Sequence, residues 1–229
     1  MMAKSATITL NQLADYLTAS PGRRRAIVED MLDPKPYIVA VYNDASDLMR
    51  RYCSAGADAA MVWDDGIAAL SNKMQDRTIS DGQRQNAKLS FEAASAAMPL
   101  TAALAQVGDP LMLKGCAQGM SIEGVQVNVR PDLLLQKDLG GNKPHFGAVK
   151  FYFPKTKKLS KERANYAGAI LQMYCEQIAG DWYVVDENMC LIVDAFGNAI
   201  LPAPKHTKRR RDDIANACDE IRIRYESGS

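Results

Sequence analysis

At Gly108-Asp109-Pro110 the chain changes its hydrophobic period, and that change limits the folds open to it. Before this point apolar residues recur at helical spacing; after it, short β-branched and aromatic runs alternate with turn residues. Upstream, Thr9-Leu10-Asn11-Gln12 reads as a capping box, followed by a stripe of Leu10, Leu13, Tyr16 and Leu17. Ser20-Pro21 opens a second helix with Ile27, Val28 and Met31 on its apolar side, and Asp33-Pro34-Lys35-Pro36 stops it. Ile38-Val39-Ala40-Val41-Tyr42 suits strand or helix, and the spacing of Ala45, Leu48, Met49 and Tyr52 after it favours helix. Residues 57–75 read as another helix through Ala60, Met61, Trp63, Ile67 and Leu70. An alanine-rich helix then runs from Gln83 to Gln106 with Leu89, Ala93, Ala96, Leu100 and Leu104 inward, and Pro99 kinks or splits it.

Downstream, residues 121–135 predict a β-hairpin or meander, with Gly124 as a turn or bulge. Leu133-Leu134-Leu135 suits a strand covered on both faces. A loop over 138–144 leads to an aromatic-rich strand at 146–153. Ser160 is a good cap for a helix from Lys161 to Ala179, ended by Gly180. Cys190 to Val193 is a buried strand, paired across the turn at 194–199 with Ile200-Leu201. A basic helix from Lys208 to Tyr225, with Ile214, Ala215, Cys218 and Ile221 inward, closes the chain. The order implies an α/β or α+β domain at 83–229, a central mixed sheet flanked by helices, preceded by a helical N-terminal region at 1–82.

With 47% hydrophobic and 24% charged residues in 229, the chain can build a core without disulfides or metal. The net charge is +1, so no overall basic field exists. Charge is instead clustered, at Arg23-Arg24-Arg25, at Lys155, Lys157, Lys158 and Lys161, and at Lys205, Lys208, Arg209, Arg210 and Arg211. Segregated charge of this kind focuses field on one face, although any single cluster is also what a solvated helix face looks like. Five dispersed cysteines without a Cys-x-x-Cys pair, and only His145 and His206, argue against structural zinc and for reduced thiols. No apolar run suits a signal peptide or a membrane span, so a soluble, cytoplasmic protein without membrane partners is expected.

The chemistry-bearing order is an acid on one strand, a lysine on the next and then a helix. Asp132 heads Leu133-Leu134-Leu135, and Lys150 lies within Gly147 to Phe153. An acid and a lysine on neighbouring strands can face one spot, where a hard cation would take carboxylate and water oxygens and the lysine would orient the water. Each has an ordinary structural role as well: Asp after Pro steadies turns, and a lysine ending an apolar run snorkels. Gly140-Gly141-Asn142-Lys143 lacks the ending of a phosphate loop, and no Gly-x-Ser-x-Gly elbow is present.

On Pro131-Asp132, Lys150 and the helix bearing Gln172 and Tyr174, the segment 85–195 resembles the PD-(D/E)xK nuclease superfamily, in its RecB-like and lambda-exonuclease-like branch. The resemblance implies a restriction-endonuclease-like fold and a Mg²⁺- or Mn²⁺-dependent DNA hydrolase. It assigns metal binding to Asp132 and Glu92, and catalytic positions to Asp132, Lys150, Glu92 and Gln172. Lys155, Lys157, Lys158, Lys161, Lys208, Arg209, Arg210 and Arg211 would contact DNA phosphates. Ala148 departs from the pattern, because the family carries a carboxylate two residues before its lysine, and Gln172 and Tyr174 are closer together than is usual there. Glu92, Glu123 and Asp138 are the acids available to fill in. Two readings follow: a nuclease in bacterial mobile-element or phage-defence biology, or a catalytically inactive binding or regulatory module on the same fold. The second acts as a subunit of a protein complex. The N-terminal helices offer a surface for a protein partner or a second copy under either reading.

Overall fold

The computed structural model describes residues 5–33, 41–111, 119–157 and 159–228. The expectation for Ile38 to Ala40, and the residues Cys116 and Lys158, lie outside the described residues.

The chain opens with strand β1 (Thr7–Thr9), which leads directly into helix α1 (Leu10–Thr18). Thr9 and Gln12 form the expected capping box, so the strand ends where the helix is capped. Helix α2 (Pro21–Leu32) starts on proline, whose missing N–H costs nothing at a first turn. Helices α3 (Asn43–Ser54), α4 (Ala59–Gln75) and α5 (Asp81–Ala97) follow. Pro99 splits the long helix as expected: a 3₁₀ turn at Met98–Leu100 separates α5 from α6 (Thr101–Val107).

The inward face of α5 includes Ala93 as expected but otherwise differs from the one expected. Ala87, Ser90, Ala93, Ala94 and Ala97 are buried, while Leu89 and Ala96 are only partly so. Small side chains let α3 and α4 approach this helix closely, and that contact outweighs the preference for leucine inside. On α4 Leu70 is buried as expected, but Met61, also expected inward, is 60% exposed, and Gly66 is buried instead.

Two mixed sheets follow. In the smaller, β3 (Gly119–Ile122) and β4 (Val125–Asn128) form an antiparallel hairpin, and β1 joins β4 in parallel. Glu123 and Gly124 turn the hairpin with φ of 46° and 79°, the conformation that two-residue hairpin turns require. The larger sheet contains β2 (Asp109–Leu111), β5 (Leu133–Lys137), β6 (His145–Tyr152), β7 (Val184–Asp194) and β8 (Ala199–Pro202), in the order β2-β5-β6-β7-β8. Within this sheet the β6–β7 pair is parallel, joined through helix α7 (Lys161–Ala179), and the other pairs are antiparallel; helix α8 (Lys208–Ser227) follows.

Alternation along β6 builds two cores. Phe146, Ala148 and Tyr152 face α7, α1 and α8, and Val149, Phe151 and Phe153 face α3 and α5. Residues of α1 and α2 sit in the first core and those of α3 and α4 in the second, so no break in packing coincides with the expected boundary at residue 82. Two glycines fix close approaches. At Gly147 any side chain would strike the Met189 carbonyl, where the β6–β7 register shifts. At Gly168 of α7 an added Cβ would lie 2.9 Å from Ala203 Cα. No helix among the described residues is long and apolar enough to cross a membrane.

Candidate functional site

Asp132 and Lys150 meet at the place where β5 begins beside a longer β6. Leu133 pairs with Val149, so β6 continues through Lys150, Phe151 and Tyr152 without a strand on that edge. Val149 O accepts from Asp132 N at 2.8 Å, and Phe151, two residues on, presents its N–H to the same edge. The Asp132 side chain caps that N–H, with Oδ2 at 2.8 Å from Phe151 N. Its Oδ1 accepts from Ser46 Oγ of α3 at 2.7 Å. Lys150 Nζ lies 3.0 Å from Asp132 Oδ2 and donates to Arg130 O at 2.9 Å. Arg130 has a φ of 42°, a strained value for a non-glycine residue, and the lysine secures its carbonyl. The two side chains are 7% and 18% exposed. Together they clamp the turn that carries the chain from the small sheet into the large one.

The other expected catalytic positions are engaged elsewhere. Ala148 sits between Leu134 and Cys190 and is fully buried in the apolar core, so the sheet offers no carboxylate there. Glu92 pairs with Lys155 at 2.9 Å. The hydrogen bond and charge of Lys155 hold the Glu92 carboxyl below the usual range. Gln172 Oε1 is buried without a hydrogen bond. Among the described residues no three His, Cys, Asp or Glu side chains gather as metal ligands. A hard dication takes six or more oxygens, about 2.0–2.6 Å away. Asp132 offers one carboxylate, already accepting from a hydroxyl and a main-chain N–H and flanked by an ammonium at 3.0 Å. That donor set does not fit Mg²⁺ or Mn²⁺.

The basic residues divide into held and free. Lys157 Nζ lies 2.6 Å from both oxygens of Asp15, a buried carboxylate on α1. Arg23 reaches the same carboxylate at 3.3 Å, and Arg163 lies 3.9 Å from it. Burial alone would raise the Asp15 carboxyl, but the Lys157 hydrogen bond, the Arg163 and Lys157 charges and the Arg23 hydrogen bond together hold it below the ordinary aspartate range. Arg211 forms a two-pronged pair with Glu176 at 2.7 and 2.6 Å, and Arg210 donates to His206 O. Lys161 and Lys208 are exposed, and Arg209 lines a polar recess with Arg24 and Asp213.

Sequence reasoning missed Asp15 and Arg163. Arg163 is one turn into α7 and lies on its buried face with Ala167, Ile170 and Tyr174. It donates to Tyr152 Oη at 3.1 Å and Asn11 O at 3.2 Å. A cationic residue in register with an apolar stripe was the available signal. No family model, curated protein or solved structure matches the chain.

Proposed function

We propose that the protein is a nucleic-acid-binding module without a hydrolytic centre of its own, carried on a nuclease-like arrangement of strands and helix. The observation that carries this reading is the closed state of the Asp132–Lys150 pair, whose oxygens and ammonium already serve the main chain and α3. Among the described residues, exposed cations outside the ion pairs remain: Lys161 at the start of α7, Lys205 ahead of α8, and Lys208 and Arg209 in its first turn. Such groups contact phosphates without reading base sequence. The module serves as a subunit that brings a protein partner to DNA.

Asp132 and Lys150 do lie side by side, and the order acid strand, lysine strand, helix, parallel strand supports a nuclease as the second reading. One experiment separates the two. Linear, circular and single-stranded DNA are titrated with the protein in Mg²⁺ and in Mn²⁺, following both mobility and integrity. The module reading expects salt-sensitive binding and intact DNA. Degradation by the wild type that disappears in Lys150→Ala would establish the nuclease instead.

A further inference from the structure

A pocket of about 740 Å³ opens at the carboxyl ends of β6 and β7, beside the first turns of α7. Its volume falls within the range of small-molecule sites, roughly 300–1,000 Å³. The crevice outside the carboxyl ends of parallel strands is where open α/β sheets place their ligands. Its walls combine three chemistries. Phe196, Leu201 and Pro202 supply apolar surface. Lys155, Lys161 and Lys205 converge on it from three separate segments. Asp194, only 8% exposed, places an acceptor among these donors, and its Oδ1 is fixed by Gly197 N at 2.9 Å.

Each simpler ligand leaves part of this lining without a role. An apolar molecule would not use three ammonium groups. Inorganic phosphate would neither fill the volume nor touch the apolar walls. A nucleoside phosphate engages all three: phosphate oxygens at the lysines, the flat base along Phe196 and Pro202, and a sugar hydroxyl or base N–H at Asp194. Lys155 pairs with Glu92 of α5 at 2.9 Å and lies 5.7 Å from the centre of the Phe196 ring. One cation is therefore already positioned against the aromatic wall.

We propose that this pocket binds a nucleoside monophosphate unit, either free or as part of a nucleic-acid chain. The proposal deepens the nucleic-acid reading and rests on it for the second of these sources. The test is calorimetric titration of the full chain with adenosine and thymidine monophosphates, the matching nucleosides, inorganic phosphate and a short oligonucleotide. The nucleotides are expected to bind, with nucleosides and inorganic phosphate each at least about tenfold weaker. The double variant Lys161→Glu with Lys205→Glu is expected to weaken nucleotide binding by about tenfold or more, and the matching pair of arginine substitutions to retain it. Phe196→Ala is expected to weaken nucleotides but not inorganic phosphate.

An oligonucleotide that displaces bound nucleotide identifies the chain as the source; failure to displace identifies the free nucleotide. If oligonucleotide binds the wild type and the glutamate double variant equally and mononucleotides do not bind, the pocket assignment is overturned while the nucleic-acid reading stands. If mononucleotides bind and no oligonucleotide does, the pocket stands and that reading falls. Inorganic phosphate binding as tightly as nucleotide would also overturn the assignment.

Discussion

The Asp132–Lys150 clamp and the lysine-lined pocket contain similar groups in opposite conditions. In the clamp, one carboxylate and one ammonium satisfy each other, a hydroxyl, a main-chain N–H and a carbonyl, with the carboxylate buried. The pocket, about 740 Å³ in volume, is lined by three ammonium groups and the buried Asp194; Lys155 is paired with Glu92, while Lys161 and Lys205 are exposed and outside the ion pairs. The first arrangement holds strands together, and the second has charge left for a ligand. A pattern of charged residues therefore indicates chemistry only once their internal partners are counted.

That contrast breaks first at Asp132. Asp132→Ala leaves a nearly buried ammonium, the Phe151 N–H and the Ser46 hydroxyl without their acceptor, and should cost about 3–5 kcal/mol of stability in denaturant unfolding. A loss under about 1 kcal/mol would mean that the carboxylate is not structural and would reopen the catalytic reading. Lys150→Met keeps the packing stem and leaves Asp132 two neutral donors, so the cost should be nearer 2 kcal/mol, with oligonucleotide affinity unchanged. A drop in affinity at constant stability would move Lys150 from the clamp to the binding face.

Acid titration sharpens the comparison at a third carboxylate. The folded Asp15 carboxyl sits below its unfolded value of 3.8. Its contribution is therefore full above that value and disappears as pH falls through the lower folded one. Asp15→Asn should flatten the acid limb of a stability-versus-pH curve below about pH 4, leaving its shape near neutrality unchanged. An unaltered acid limb would show that Lys157, Arg23 and Arg163 do not favour the ionised form. The smallest effect belongs to the pocket: Lys161→Glu with Lys205→Glu should shift unfolding stability by no more than about 0.5 kcal/mol per site. A larger destabilisation would mean that these lysines already have partners within the fold.

How much could be read from the sequence follows the range of the interactions involved. Helix α7 was legible to the residue, because Ser160 caps its first turn and Gly180, with φ of 53°, ends it locally. Strands β1 and β2 were not, since three-residue segments such as Thr7–Thr9 and Asp109–Leu111 become strands only by lying along β4 and β5. The first half of β7 was hidden by Asp186, Glu187 and Asn188, whose polarity reads as loop until β6 is set beside it. The adjacency of Asp132 and Lys150 followed from strand order. Their closure did not, because Ser46 reaches Asp132 across 86 residues. The pocket was hidden for the same reason: Lys155, Lys161 and Lys205 sat in two separate clusters of the sequence, and Phe196 belonged to a turn.

The bare face of Gly168 sets the gauge of that pocket. Its first wall is the start of α7, and the opposite one is the segment leading from β8 to Lys205. Gly168, one turn beyond the lining residue Ala164, and Ala203 bring these two walls into close contact, with no space for even a methyl group between them. A side chain at position 168 would force these two walls apart and so reshape the pocket from a position that does not line it.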